Sequence, residues 1–195
     1  MNERKKQALA TRAKLIDVGI TLFGTQGYSA TSAEQIVSAA QVSRGALYHH
    51  FDGGKLGLFE AVAAKVLAKL VLSLEQAIAG TKPEWGTIRL MFDTFFEAAL
   101  TNEYRIIALQ DAPSVLGAKR WRELEYSYSV SFIRESLQKL IDENTIRVVP
   151  VEYFSALIFG ASCEAALLIA ASDNPKKARE KTLDALEQLM CSLRL

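Results

Sequence analysis

Residues 31–51 read TSAEQIVSAAQVSRGALYHHF. Two short apolar-periodic segments lie in this stretch, separated by Gln41-Val42. Thr31, with Glu34 three residues on, has the spacing of a capping box, which opens a helix. Ile36, Val37, Ala39 and Ala40 supply the apolar side of that helix. Ser43 is a good N-cap for a second helix carrying Arg44-Gly45-Ala46-Leu47-Tyr48-His49-His50. Leu47 and Phe51, four apart, share a face and belong to a core. A longer helix comes first, from about Glu3 to Gln26. There Leu15, Val18 and Leu22 form one apolar row and Ile16, Ile20 and Phe23 a second beside it, and Gly27 ends the run. One long and two short helices in this order make a helix-turn-helix pattern.

The second short helix has the chemistry to read duplex DNA. Its N-terminal half is small and polar, as an element entering the roughly 12 Å major groove must be. Gly45 and Ala46 allow close approach to base edges, and Arg44 can pair with guanine O6 and N7. Tyr48, His49 and His50 are polar-tipped rings able to donate to phosphates. Thr31 and Ser43 stand at helix N-termini, where free amides attract phosphate, unless they serve as caps alone. Tyr48 has a second reading as cover for the core edge. The adjacent His49 and His50 point about 100° apart on a helix, and no Cys, His or carboxylate stands at ligand spacing, so no metal is expected.

The rest of the 195 residues predicts an all-α fold. All four prolines, Pro83, Pro113, Pro150 and Pro175, fall between long runs rich in Ala, Leu, Glu, Lys and Gln. No alternating strand pattern flanked by hairpin turns occurs, and the β-branched stretch at 146–151 is short. Asp52-Gly53-Gly54 breaks the chain before a long helix at about 55–79, and further helices are expected near 84–101, 103–111, 118–143, 151–172 and 175–193. The expected domains are residues 1–54, which bind DNA, and 55–195. Charge agrees with that division. Residues 1–57 carry +3 and hold both histidines, while the remainder carries −2, so a polyanion suits the first part alone. The opening MNERKKQALATR has no apolar segment, and with two cysteines no disulfide scaffold is expected. A cytoplasmic protein with reduced thiols follows.

The stretch 31–51 resembles the DNA-binding domain of the TetR/AcrR family of transcriptional regulators. The likeness runs from Thr11-Arg12 through Leu22-Phe23 and residues 27–31 to Lys55 and Leu58-Phe59, with weaker likeness at 159–161 and 164–167. The resemblance implies backbone contacts from Thr31, Tyr48, His49 and Lys55, and base contacts from Arg44, Gly45 and Ala46. It also implies a double-stranded DNA operator and no cofactor. Members usually place three steps between the positions of Phe51 and Lys55. Here there are four, so the loop is one residue longer and Gly54 offers a backbone donor beside Lys55.

The second half is expected to pair two copies and to sense a small molecule. From Val151 to Ala171 only Glu152 and Glu164 are charged, so this helix must be covered on both sides. Burial on its own domain by one face and on a second subunit by the other is preferred to a membrane span, and no membrane partner is expected. Helix 175–193, with Leu183, Leu186, Leu189 and Met190, completes an intersubunit four-helix bundle, with Ala161 and Ala165 expected in the contact. Aromatics gather between Trp85 and Phe159. An effector cavity of a few hundred Å³ is expected, with Phe92, Phe96, Tyr104, Tyr128, Phe159, Cys163 and Glu164 in its wall. Glu164 is either its polar anchor or an intersubunit hydrogen-bond partner, and Cys163 reads as an inert buried thiol. An apolar, uncharged or cationic effector suits these residues. The reading is a ligand-responsive repressor that binds a palindrome as a homodimer and is not an enzyme. Its rival is a ligand-independent regulator or activator on the same fold, which a filled core would favour.

Overall fold

The computed structural model describes residues 3–82 and 85–195, without the Trp85 side chain. Pro83, the expected helix start at 84 and the Trp85 indole lie outside the described residues. Helices α1 (Glu3–Ala30), α2 (Ala33–Ala40), α3 (Arg44–His50), α4 (Lys55–Ile78) and α5 (Trp85–Ala99) come first. They are followed by α6 (Asn102–Tyr104), α7 (Ala112–Val115), α8 (Ala118–Glu125), α9 (Ser131–Asp142), α10 (Val151–Ala170) and α11 (Pro175–Cys191). Among the described residues the extended pairing is one isolated bridge, Ile146 to Arg194. The all-α expectation holds. Two π-helical stretches were not foreseen. Arg105–Asp111 joins α6 to α7, and Tyr126–Val130 joins α8 to α9, interrupting the helix expected at 118–143. Compactness divides the chain elsewhere than at 54/55. One unit holds residues 3–67 and 101–122, and the other the described part of 68–100 with 123–195.

In the first unit, α1 is broken at Gly27, whose φ of 81° and ψ of 169° lie in a region open essentially to glycine. The break turns the chain so that the Tyr28 amide donates to Asp111 Oδ2 at 2.6 Å. The Tyr28 ring packs edge-on against Phe59 of α4, and Phe59 against Phe23 of α1. Leu15, Phe23, Ile36, Leu47, Leu58 and Phe59, drawn from α1, α2, α3 and α4, are fully buried. Leu47 and Phe51 are core residues, as their spacing predicts.

The second unit packs α5, α9, α10 and α11 around Phe92, Phe96, Phe132, Leu137, Ala166, Ile169 and Leu186. Ion pairs tie α5 to α11: Arg89 meets Asp184 at 3.0 Å and Glu187 at 2.6 Å, and Arg179 meets Asp93 at 2.7 Å. Helix α10 is long and apolar enough to cross a membrane by length and composition. It has two different faces. Ser155, Phe159, Ser162, Ala165, Ala166 and Ile169 are buried within the unit. Tyr153, Leu157 and Leu168 are 72%, 69% and 62% exposed, and Leu189 of α11 is 68% exposed. Ala165 therefore belongs to the internal core, which corrects its assignment to an intersubunit contact, while Ala161 is half-buried.

Gly27→Ala forces a side chain into the glycine-only region and should cost about 1–3 kcal/mol. Asp111→Ala strips the Tyr28 amide of its partner at a similar cost. Each should lower the Tm by several degrees in thermal unfolding. Burial, with a smaller contribution from the Glu125 carboxylate, pushes the Cys163 thiol up to about 12. Its thiolate is therefore scarce at pH 8. A thiol reagent should modify the exposed Cys191 quickly and Cys163 only on unfolding, counted by mass spectrometry.

Candidate nucleic-acid interface

The helix-turn-helix is built by three local devices. Ser32, rather than Thr31, caps α2: its side chain accepts from the Gln35 amide at 3.1 Å, and its own amide donates to Gln35 Oε1 at 2.7 Å. The capping box is thus one residue later than the Thr31–Glu34 spacing suggested. Gln41 ends α2 in the left-handed region, φ 53°, and the Gln41 and Val42 amides close the helix on Ser38 and Val37 carbonyls. Ser43 caps α3 as expected, accepting from the Ala46 amide at 3.2 Å.

Helical geometry sorts the side chains of α3. Positions 44, 45, 48 and 49 span one face, and Arg44, Gly45, Tyr48 and His49 are all exposed. Leu47 and Phe51 point inward, while Ala46 and His50 flank the two faces, half-buried. Burial first, then His49 and Arg12, lowers the His50 pKa from its usual value, so at neutral pH His50 is a neutral donor. Tyr48 lies against Gly54, where a Cβ would meet the ring at 2.6 Å and where φ is +61°. The Gly54 amide donates to the Phe51 carbonyl at 2.9 Å, so it is spent inside the loop and is no phosphate donor.

Two expected contacts change character. Thr31 is 1% exposed, and its hydroxyl donates to the Gly27 carbonyl at 2.7 Å. It fastens the end of α1 and does not present itself to solvent. Lys55 donates to the carbonyls of Tyr28 at 3.1 Å and Thr31 at 2.9 Å, and its ammonium sits 3.9 Å from the Tyr28 ring centroid. The ammonium neutralises carbonyls left open at the end of α1, as cations do at helix C-termini.

One partner was missed. Arg44 Nη1 meets Glu34 Oε1 at 2.9 Å, with both side chains 64% exposed. The guanidinium also lies 5.9 Å from the Tyr48 ring centroid. Tyr48 first and Glu34 second raise the Arg44 pKa. An ion pair so exposed contributes little stability. A ten-residue separation across a turn carries no periodic signal, so the sequence could not show it. Among the described residues, no group of three or more His, Cys, Asp or Glu side chains is placed to hold a metal.

The second unit holds an apolar cavity of about 60 Å³. Phe92 and Phe159 line it, as expected, with Phe95 in place of Phe96. Tyr104 is buried in the first unit instead, and Tyr128, Cys163 and Glu164 are absent from the wall. Glu164 is exposed and cannot anchor a buried effector, which removes the reason to expect a cationic one. A more open pocket of about 290 Å³ adjoins, sharing Ile88, Met91, Ser136 and Leu140.

Comparison with known proteins bears on the whole chain. Residues 15–62 match the model "Bacterial regulatory proteins, tetR family", and residues 85–193 match "Tetracyclin repressor-like, C-terminal domain". The chain is 23% identical over 163 residues to the transposon Tn10 TetC protein of Escherichia coli, covering 82% of this chain and 80% of that one. It is 49% identical over 109 residues to the transcriptional regulator AcrR of Shigella flexneri, covering 54% of this chain and 49% of AcrR. A solved TetR-family transcriptional regulator from Pectobacterium atrosepticum matches with a TM-score of 0.81 and 29% identity, over 100% of this chain and 98% of that one. RolR, solved with the ligand resorcinol, shares the fold at a TM-score of 0.74 and 15% identity, over 95% and 89% of the two chains. With its helix-turn-helix in the first match and its C-terminal helices in the second, the chain belongs to the tetR family of bacterial regulatory proteins, a family of DNA-binding transcriptional regulators and not of enzymes.

Proposed function

We propose that this regulator is a homodimeric cytoplasmic repressor that reads a palindromic operator and releases it when a small molecule occupies the second unit. Residues 1–54 are the DNA-reading portion and 55–195 the effector and dimerisation portion. The observation that carries the reading is the exposed face of α3, where Arg44 leads and Gly45 leaves room for the bases. Ser43 and His49 stand beside it for phosphates, with Tyr48 between them. The phosphate contact expected of Thr31 passes to Ser32, at the start of α2. Tyr153, Leu157 and Leu168 of α10, with Leu189 of α11, are the apolar surface that a second copy covers. Two α3 helices related by that two-fold axis read half-sites about 34–36 Å apart, or a multiple of it.

The effector part rests on the cavity, and RolR bound to resorcinol is an example of the fold accommodating a small molecule. The small volume of about 60 Å³ favours the second reading, a regulator that answers to no ligand, since a cavity that binds benzene has roughly 150 Å³. The adjoining 290 Å³ pocket weighs the other way. Selection of bound sequences from a random DNA pool tests the central reading. An enriched palindrome is expected, and a pool with no enriched sequence would remove it.

Arg44→Ala should relax preference at one base position per half-site and cost about 1–3 kcal/mol on the selected operator. Glu34→Gln frees Arg44 and removes an acid, so binding should tighten at low salt, measured by fluorescence anisotropy. Lys55→Ala should lower the Tm and leave the slope of log affinity against log salt unchanged. A slope smaller by about one unit would make Lys55 a phosphate contact after all.

Leu157→Arg places a charge on the exposed face of α10 without touching the unit's own core. Sedimentation should find the wild type dimeric at micromolar concentration and this variant monomeric with unchanged helicity. A monomeric wild type refutes the dimer.

A further inference from the structure

The cavity wall in the second unit is nearly all carbon: leucine, isoleucine, methionine and phenylalanine side chains, with three serines among them. No charged side chain lines it, and Glu75 and Lys139 stand only in the adjoining pocket. One of the serines is anomalous. Ser129 is 4% exposed, and its hydroxyl is the buried side-chain polar atom without a hydrogen-bond partner among the described residues. Such an atom costs free energy unless something arrives to pair with it.

Its backbone setting is unusual. A helical serine ordinarily donates to the carbonyl one turn back, as Ser162 does to Ile158 at 2.8 Å and Ser155 does to Glu152 at 3.0 Å. Ser129 lies in the π-helical stretch Tyr126–Val130, where the turn is wider. Its neighbours still find carbonyls, Ser127 on Glu123 and Ser131 on Tyr126. Ser129 does not, and it belongs to the cavity wall. Single π-helical turns are rare and often lie at functional sites.

We infer that the Ser129 hydroxyl is the polar anchor of this cavity, and that the ligand is a slender, uncharged, largely aliphatic molecule with one hydrogen-bonding oxygen. The inference rests on the effector reading above and names its chemistry. Slenderness follows from the narrow, partly open space of about 60 Å³, small beside a cavity of roughly 150 Å³ that binds benzene. A flexible chain can place its oxygen at Ser129 and extend toward the adjoining pocket, which shares Ile88, Met91 and Leu140 with this one. Neutrality follows from the wall, since an ionised group there would have no counter-charge.

The test uses the full-length protein and a matched pair of probes, 1-hexanol and 1-chlorohexane, which differ in their hydrogen-bonding end. Dissociation constants are measured for the wild type and for Ser129→Ala by NMR titration. The preference for hexanol over chlorohexane should be about tenfold greater in the wild type than in the variant, the effect of one net hydrogen bond. Removing the orphaned hydroxyl should leave the free protein folded and raise its Tm by about 2–4 °C. An unchanged preference would place the oxygen elsewhere and overturn the inference. So would failure of the wild type to bind either probe, because the cavity is then only a packing void. Operator affinity is read on the same samples. Hexanol that binds through Ser129 without weakening operator binding sinks the effector reading and leaves the anchor standing. Intact operator binding with no probe bound sinks the anchor alone.

Discussion

The first unit depends on a single backbone break. Gly27 takes a conformation that side-chain-bearing residues avoid, and two distant side chains and one local hydroxyl fasten the residues around it. Asp111 takes the Tyr28 amide, Lys55 takes the carbonyls of Tyr28 and Thr31, and the Thr31 hydroxyl closes back on Gly27 itself. Each fastening satisfies a backbone group that the broken helix would leave open. The Tyr28 ring packs against both Phe23 and Phe59, which also touch each other. The start of α2, and through it the orientation of α3, is set from this junction. Residues far apart in sequence, 28, 55 and 111, therefore act on the same few peptide groups.

The second unit answers a different constraint. Helix α10 has too little polar surface to belong to one interior. Its small residues, Ser155, Ser162, Ala165 and Ala166, let neighbouring helices approach closely on the inner side, while tyrosine and leucine crowd the outer one. The ion pairs between α5 and α11 sit at the surface and add registration more than stability.

Much of this was legible in the sequence, and the misses have physical causes. Periodicity predicted the helices because burial enforces it, and Gly27 and Ser43 announced their roles through backbone conformation and cap chemistry. The capping box was misplaced by one residue because Thr31-Ser32 and Glu34-Gln35 offer two overlapping solutions. Only the demand of Gly27's carbonyl for the Thr31 hydroxyl chooses between them. The carbonyls of Tyr28 and Thr31 around the Lys55 ammonium could not be read in advance, because the family likeness speaks of a position and not of its surroundings. Phe95 and Phe96 were exchanged in the cavity since the two are adjacent and both buried. The π-helical turns leave no mark in apolar spacing over so short a run, and with them went the unpaired hydroxyl of Ser129.

The glycine-rich loop after α3 has a consequence of its own. It brings Gly54, a residue without a side chain, directly beneath the Tyr48 ring. The ring rests on backbone and is already confined before any partner arrives. Fixing a free side chain on binding costs about 0.5–1.5 kcal/mol of lost rotamer freedom. A ring seated in advance gives up less of that freedom when it is fixed.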